Sequence, residues 1–232
     1  MKLLKFIVAG VGPGDPDLIT VKALKTIEKA DVILTPHSKD GKASIAEQIV
    51  RSHLKDIKTM PIVFPMVSDG EKRDEILRSQ LSETKELWKE AETVVLPVIG
   101  DSALYATGSY LYDVWKEFVP ELELGLIPGI SAHSLAASRA SVFLAMGEDI
   151  LSIIPGTDSP QHIKDALAKA DSAALYKPCA LKDGLREAVT ESGPWKRMVR
   201  IDRAGLEDEK IYEGESALEP AQEYLSILLL WR

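Results

Sequence analysis

The chain has 232 residues, enough for one large or two small domains, and its 45% hydrophobic and 28% charged residues are an ordinary globular balance that supports a sizeable core. A formal net charge of −8 argues against general nucleic-acid binding, which needs a basic surface, and means that any polyanionic ligand must be met by a local cationic pocket. The single cysteine, Cys179, excludes an intramolecular disulfide and a Cys-based zinc site, and beside Pro178 and apolar neighbours it reads as a structural thiol.

In chain order, Lys2–Ala9 is β-rich and apolar and turns at Gly10–Pro16. This opening could be mistaken for an export signal, but glycines and proline break the run and no cleavage pattern follows, so it reads as a buried first strand. Asp17–Ala30 carries Leu18, Val21, Leu24 and Ile27 at helical spacing. Asp31–Leu34 is a short strand. Ser44, with Glu47 three positions on, caps a helix to about His53. Ile57–Val63 is a strand, Glu71–Glu90 a long charged helix, and Thr93–Ile99 a continuous apolar run typical of a strand buried on both faces.

The second half repeats the style. Strands are expected at Leu122–Ile127, Ile150–Ile154, Ser172–Tyr176, Arg197–Ile201 and Tyr224–Trp231, with helices at Ser131–Ala140, Gln161–Ala170 and Lys182–Thr190. The alternation predicts an α/β fold of parallel or mixed sheets flanked by helices. A boundary near Val119–Leu124 divides it into domains 1–118 and 119–232. No window reaches the length of a transmembrane span, and a reducing cytoplasm is the simplest compartment.

Three strand-end loops are candidate sites. Gly10-Val11-Gly12-Pro13-Gly14-Asp15-Pro16 is not a dinucleotide fingerprint, because Asp15 stands where a glycine is required and two prolines remove backbone donors; it is a ligand loop or a structural turn. Gly100-Asp101-Ser102-Ala103-Leu104-Tyr105 follows the most apolar strand, where ligands of open α/β sheets collect. Asp101 either faces a hydroxyl, amine or sulfonium there, or caps a helix starting near Ala103. In Pro128-Gly129-Ile130-Ser131-Ala132-His133, Ser131 can cap a helix or bind a ligand, and His133 is a packed residue or a base. The four histidines form no metal-binding pattern, and no Ser/His/Asp spacing occurs.

These loops, in this order, resemble those of the tetrapyrrole methylase family, the class III S-adenosylmethionine-dependent methyltransferases. The resemblance begins with GVGPGDPDLITVKALKTIEKADVIL, continues through VIGDSALYATGSYL and IPGISAHSLAAS, and extends to AALYKP and RAGLEDEKIYEG, so it covers nearly the whole chain. TPHSKDGKASIAEQIV and the ending EYLSILLLWR look most like the precorrin-2 and cobalt-factor II C-20 methyltransferases of cobalamin biosynthesis. One departure is Ser102, where the family's GDP loop has proline.

The resemblance implies a two-domain α/β enzyme with its active site in the cleft between the domains, a homodimer, and S-adenosylmethionine as cofactor. It implies cofactor contacts from Gly100, Asp101, Leu104, Tyr105, Ser131, Ala132, Tyr176 and Ala204. Pro13 then lies nearer the tetrapyrrole, with Lys39 and Arg139 as partners for its carboxylates; Lys42, Lys177 and Arg203 are further candidates by location. Asp15 and His133 are candidates for a base. An electron-rich ring carbon needs no activated protein nucleophile, which explains why so few conventional catalytic residues are found. Open alternatives are a family member with another acceptor, such as a later precorrin or uroporphyrinogen, and a non-catalytic module that binds a nucleotide-like ligand.

Overall fold

The computed structural model describes residues 4–37, 44–55, 57, 59–65, 67, 69–157 and 159–232. They divide into two compact units, Met1–Ser131 and Ala132–Arg232.

The first unit is built from β1 (Lys5–Gly10), α1 (Val21–Glu28), β2 (Val32–His37), α2 (Ile45–His53), β3 (Thr59–Val63), α3 (Gly70–Glu83), α4 (Lys85–Trp88), β4 (Thr93–Val98), α5 (Gly108–Lys116) and β5 (Glu123–Ile127). All its pairings are parallel, in the order β3-β2-β4-β1-β5. A parallel strand must be reached by a crossover, and the crossovers place helices on both faces. Phe6, Val8, Leu34, Val94 and Leu96 pack with Leu77 and Leu81 of α3, Trp88 of α4 and Leu111 and Trp115 of α5. Their alternating neighbours Ile7, Ala9, Ile33 and Val95 pack with Ala23 and Ile27 of α1 and Ala46, Ile49 and Val50 of α2. The unbroken apolar run of β4 is therefore explained by burial on two sides.

The second unit contains α6 (Ala132–Arg139), β6 (Leu151–Pro155), α7 (Pro160–Leu167), β7 (Ser172–Tyr176), α8 (Gly184–Thr190), β8 (Arg197–Asp202), β9 (Lys210–Glu213) and β10 (Ser226–Trp231). Its sheet is mixed, in the order β6-β7-β10-β8-β9, with only the β6–β7 pair parallel. Ile154, Ala173, Leu175, Leu228 and Leu230 pack with Ile163 and Leu167 of α7 and Leu185, Ala188 and Val189 of α8.

The α/β class with two helix-flanked sheets agrees with expectation, the first sheet being wholly parallel. The division falls later than the expected 118/119 boundary, because β5 pairs in parallel with β1 and completes the first sheet. The expected helix over 71–90 breaks at Thr84, whose hydroxyl donates to the Gln80 carbonyl at 2.7 Å and ends α3. Strand β9 has mostly exposed residues, and its charged, non-alternating sequence concealed it. Among the described residues no helix is long and apolar enough to cross a membrane.

Candidate functional site

The parallel order of the first sheet defines where a ligand belongs. From β1 the chain crosses to β2 on one side; from β4 it crosses over β1 to β5 on the other. The reversal lies at the carboxyl ends of β1 and β4, the position at which open α/β sheets bind ligands. The loops at that point are Gly10–Pro16 and Gly100–Thr107, two of the three singled out by sequence.

The two loops are stitched together by an antiparallel bridge. Gly100 N donates to the Gly12 carbonyl at 2.7 Å and Gly12 N donates to the Gly100 carbonyl at 3.3 Å. The third loop joins the same junction. A Cβ on Gly129 would fall 2.2 Å from the Gly100 carbonyl oxygen and 2.7 Å from the Gly10 carbonyl carbon. Three strand ends thus meet backbone to backbone with no room for a side chain. Gly100 itself has φ +76°, and a Cβ there would meet nothing within 4 Å. Its outer side is open for close approach of a ligand.

Asp101 ties the junction from the side. Its Oδ1 accepts from Ala103 N at 2.8 Å and its Oδ2 from Gly129 N at 2.9 Å. It caps no helix, since α5 begins only at Gly108. Tyr105 is a non-glycine residue with φ +53° and is 42% exposed. A bulky residue held in the left-handed region marks a backbone fixed by its surroundings, as at ligand loops. Partial burial pushes its phenol above the usual tyrosine range, so the ring presents a neutral hydroxyl. Leu104 beside it is half-buried.

Ser102 is 5% exposed and its Oγ is buried without a hydrogen-bond partner. An orphaned hydroxyl costs stability. Ser102→Ala is therefore expected to stabilise the protein by about 1 kcal/mol, raising Tm by about 2–4 °C. A lower Tm in a thermal melt would show that the hydroxyl has a partner in solution.

In the first loop Pro13 is buried, and Asp15 is the N-cap of a 3₁₀ turn at Pro16–Leu18, accepting from Asp17 N at 3.0 Å. Ser131, half-buried, ends the first unit. Lys39 and Lys42 lie outside the described residues.

In the second unit the structure brings His133 and Tyr176 together. His133 Nδ1 lies 2.8 Å from Tyr176 Oη, and the His133 backbone N–H donates to the same oxygen at 3.4 Å. The rings stand edge to face with centroids 6.0 Å apart. Sequence reading did not connect these residues, which are 43 positions apart. Tyr176 ends β7, where Gly156 N donates to its carbonyl at 2.6 Å. A Cβ on Gly156 would fall 2.2 Å from the Lys177 carbonyl. Sequence reasoning missed Gly156, although Pro155-Gly156 repeats the Pro128-Gly129 pair of the third loop.

Ala204 is buried, at 8% exposure, in the turn after β8. There Arg203, at φ +56°, pairs with Asp208 at 2.6 Å and holds that carboxyl below the usual aspartate range. Arg139 is exposed at the end of α6 and pairs with Glu209 at 3.3 Å, whose Oε2 also accepts from Gly205 N at 2.6 Å. Among the described residues no group of three His, Cys, Asp or Glu could hold a metal.

The first unit's own groups suit a nucleoside sulfonium: an open glycine turn for backbone approach, the Asp101 carboxylate, and the Tyr105 phenol.

Comparison with known proteins gives the same assignment. The family model described as Tetrapyrrole (Corrin/Porphyrin) Methylases matches residues 5–218. The chain is 32% identical to the "Probable cobalt-precorrin-2 C(20)-methyltransferase" of Methanocaldococcus jannaschii, covering 100% of this chain and 98% of that protein. It is 28% identical to the "Precorrin-2 C(20)-methyltransferase" of Sinorhizobium sp., with 97% and 94% covered. Among solved structures, uroporphyrin-III C-methyl transferase from Thermus thermophilus, complexed with S-adenyl homocysteine, superposes with a TM-score of 0.70 at 16% identity over 98% and 97% of the two chains. A putative CobF from Corynebacterium diphtheriae gives 0.75 at 16% identity over 100% and 99%. These structural likenesses establish the shared fold, and the family match spans both units from β1 to the residues before β10. With its strand-end loops in the family's order on the family's fold, the chain belongs to the tetrapyrrole (corrin/porphyrin) methylases.

Proposed function

We propose that the protein is an S-adenosylmethionine-dependent C-methyltransferase acting on a reduced tetrapyrrole, precorrin-2 or its cobalt complex, at C-20 in cobalamin biosynthesis. The observation that carries the proposal is the junction of Gly10, Gly12, Gly100 and Gly129 at the switch point of the first sheet. It leaves Gly100 open to a ligand while Asp101 locks the loops. The named activity of the Methanocaldococcus and Sinorhizobium relatives supports the choice of acceptor.

In this reading Gly100, Asp101, Leu104, Tyr105 and Ser131 of the first unit, and Ala132, Tyr176 and Ala204 of the second, hold the cofactor. When bound, the cofactor supplies a methyl group on a sulfonium with a good leaving group. The chain's own work is alignment and exclusion of water. The positive-φ backbone at Gly100 and Tyr105 sets the path of the second loop, and Asp101 presents negative charge at its rim. A base at His133 requires the tautomer in which Nδ1–H donates to Tyr176 Oη, which leaves the Nε2 lone pair to take a proton. Asp15, as a cap, is the weaker of the two base candidates. Pro13, Lys39 and Arg139 are assigned to the acceptor side. We also infer a homodimer working in the cytoplasm, with no nucleic acid or membrane partner.

The test is incubation with S-adenosylmethionine and precorrin-2 or its cobalt complex, followed by absorbance and mass spectrometry. The expected product is one methyl group heavier. Cofactor binding without turnover on either acceptor would favour another family substrate, and no binding of S-adenosylmethionine or S-adenosylhomocysteine would overturn the assignment.

Tyr176→Phe keeps the ring and removes Oη. Its expected effect is a loss of about 1 kcal/mol, or roughly fivefold in cofactor affinity by calorimetry. Wild-type affinity would sink the assigned role of the phenol.

A further inference from the structure

The face of α1 turned away from the core carries Lys22, Lys25 and Lys29 together with Thr26, at i, i+3, i+4 and i+7. With Ile7, Val21 and Thr93 they line an open groove of about 620 Å³. Thr93 is the first residue of β4, so the groove reaches the opposite end of that strand from the Gly100 loop. It belongs to a different surface from the site described above.

Two features of the groove are unusual. First, none of the three lysines has an ion-pair partner among the described residues, in a chain with 36 acidic side chains. The nearby Asp31 carboxylate accepts instead from the backbone N–H groups of Glu92 at 3.0 Å and Thr93 at 2.9 Å. Lys22 also stands in the first turn of α1, where the helix dipole disfavours a cation. Helix stability alone would place an acid there. Second, part of the lining is apolar: Val21 is 67% exposed beside the lysines, and the largely buried Ile7 of β1 also contributes. An apolar side chain that open beside unpaired ammonium groups matches a ligand with an apolar body and anionic edges.

The size chooses between a small molecule and a protein. A volume of this order is typical of small-ligand sites. The seven lining residues fall far short of the roughly 20–30 per side of a stable protein interface.

We infer that this groove is a second binding site of the protein, which takes a small, amphipathic polycarboxylate: the three ammonium groups bind its carboxylates and Val21 meets its apolar part. The inference stands independently of the methyl-transfer assignment, because it uses none of the same residues.

The experiment is equilibrium titration of the full chain with a stable octacarboxylate porphyrin as the probe, followed by fluorescence and by stoichiometry in sedimentation. The wild type is compared with Lys22→Ala/Lys25→Ala/Lys29→Ala. Alanine at exposed helix positions preserves α1, and far-UV circular dichroism checks it. The expected result is that the triple variant binds one porphyrin fewer per chain than the wild type, whatever the total. The groove event should also weaken by about tenfold or more as salt rises from about 0.05 to about 0.5 M. Val21→Ser should weaken it further, while an aliphatic tricarboxylate should compete poorly. Equal stoichiometry and affinity in the two proteins would overturn the site. Equal competition by the tricarboxylate would overturn the amphipathic part of the assignment. Binding of S-adenosylmethionine, measured separately, is expected to be the same in both proteins, so failure of the groove and failure of the methyltransferase reading are distinguishable.

Discussion

Gly129→Ala is expected to lower Tm by about 6–12 °C and to weaken cofactor binding about 100-fold or more. The new Cβ would lie 2.2 Å from the Gly100 carbonyl oxygen and 2.7 Å from the Gly10 carbonyl carbon. Neither neighbour is a flexible side chain that could swing aside, so one of three strand ends must move. Overpacking of this kind costs about 3 kcal/mol, and each kcal/mol is worth about 2–4 °C in a chain of this size. The binding loss follows because the displaced strand end carries the Gly100 and Asp101 loop assigned to the cofactor, and a shift of about 1 Å there also misaligns the reactants. A variant that melts and titrates with S-adenosylmethionine like the wild type would mean that the three loops are not packed backbone to backbone in solution.

Asp101→Ala is expected to reduce cofactor affinity about 10- to 100-fold without unfolding the protein. Hydrogen bonds to a charged acceptor are worth about 1.5–3 kcal/mol, and here one carboxylate serves two backbone donors, Ala103 N and Gly129 N. Asp101→Asn should lose a large part of the same effect. The amide keeps one acceptor oxygen and turns an NH₂ group toward the other backbone N–H, donor against donor. Hydrogen exchange at the Gly129 amide separates a loop tie from a purely direct contact with the ligand. Exchange should be faster in both variants than in the wild type. Unchanged exchange with weakened binding would confine Asp101 to ligand contact, and unchanged binding would remove it from the site.

Sequence and structure agree best where burial dictates residue type over a whole element. The apolar run of β4, the Ser44 cap of α2 and the strand at Ser172–Tyr176 lie where the pattern puts them, because each is fixed by its own residues. The errors fall where partners decide. Leu122–Ile127 reads as the opening strand of a second domain, yet its pairing with β1 makes it the edge of the first sheet. Glu71–Glu90 reads as one helix, and the break comes at Thr84, whose hydroxyl turns back on Gln80. Asp101 reads equally as a helix cap or a ligand contact; its second oxygen goes to Gly129, 28 positions away, which no local pattern encodes.

The amino-acid sequence by itself determined the α/β class, the positions of the strand-end loops and the family they resemble, since these rest on periodicity and on short motifs that are local in the chain. The tertiary structure alone decided that β1, β4 and β5 end in one glycine junction, that His133 meets Tyr176, and that Lys22, Lys25 and Lys29 share a groove with no ion-pair partner among the described residues. The reason is physical: propensity and burial pattern act within a few residues, whereas close backbone approach, hydrogen-bond pairing and charge compensation depend on which distant segments the sheet order brings together.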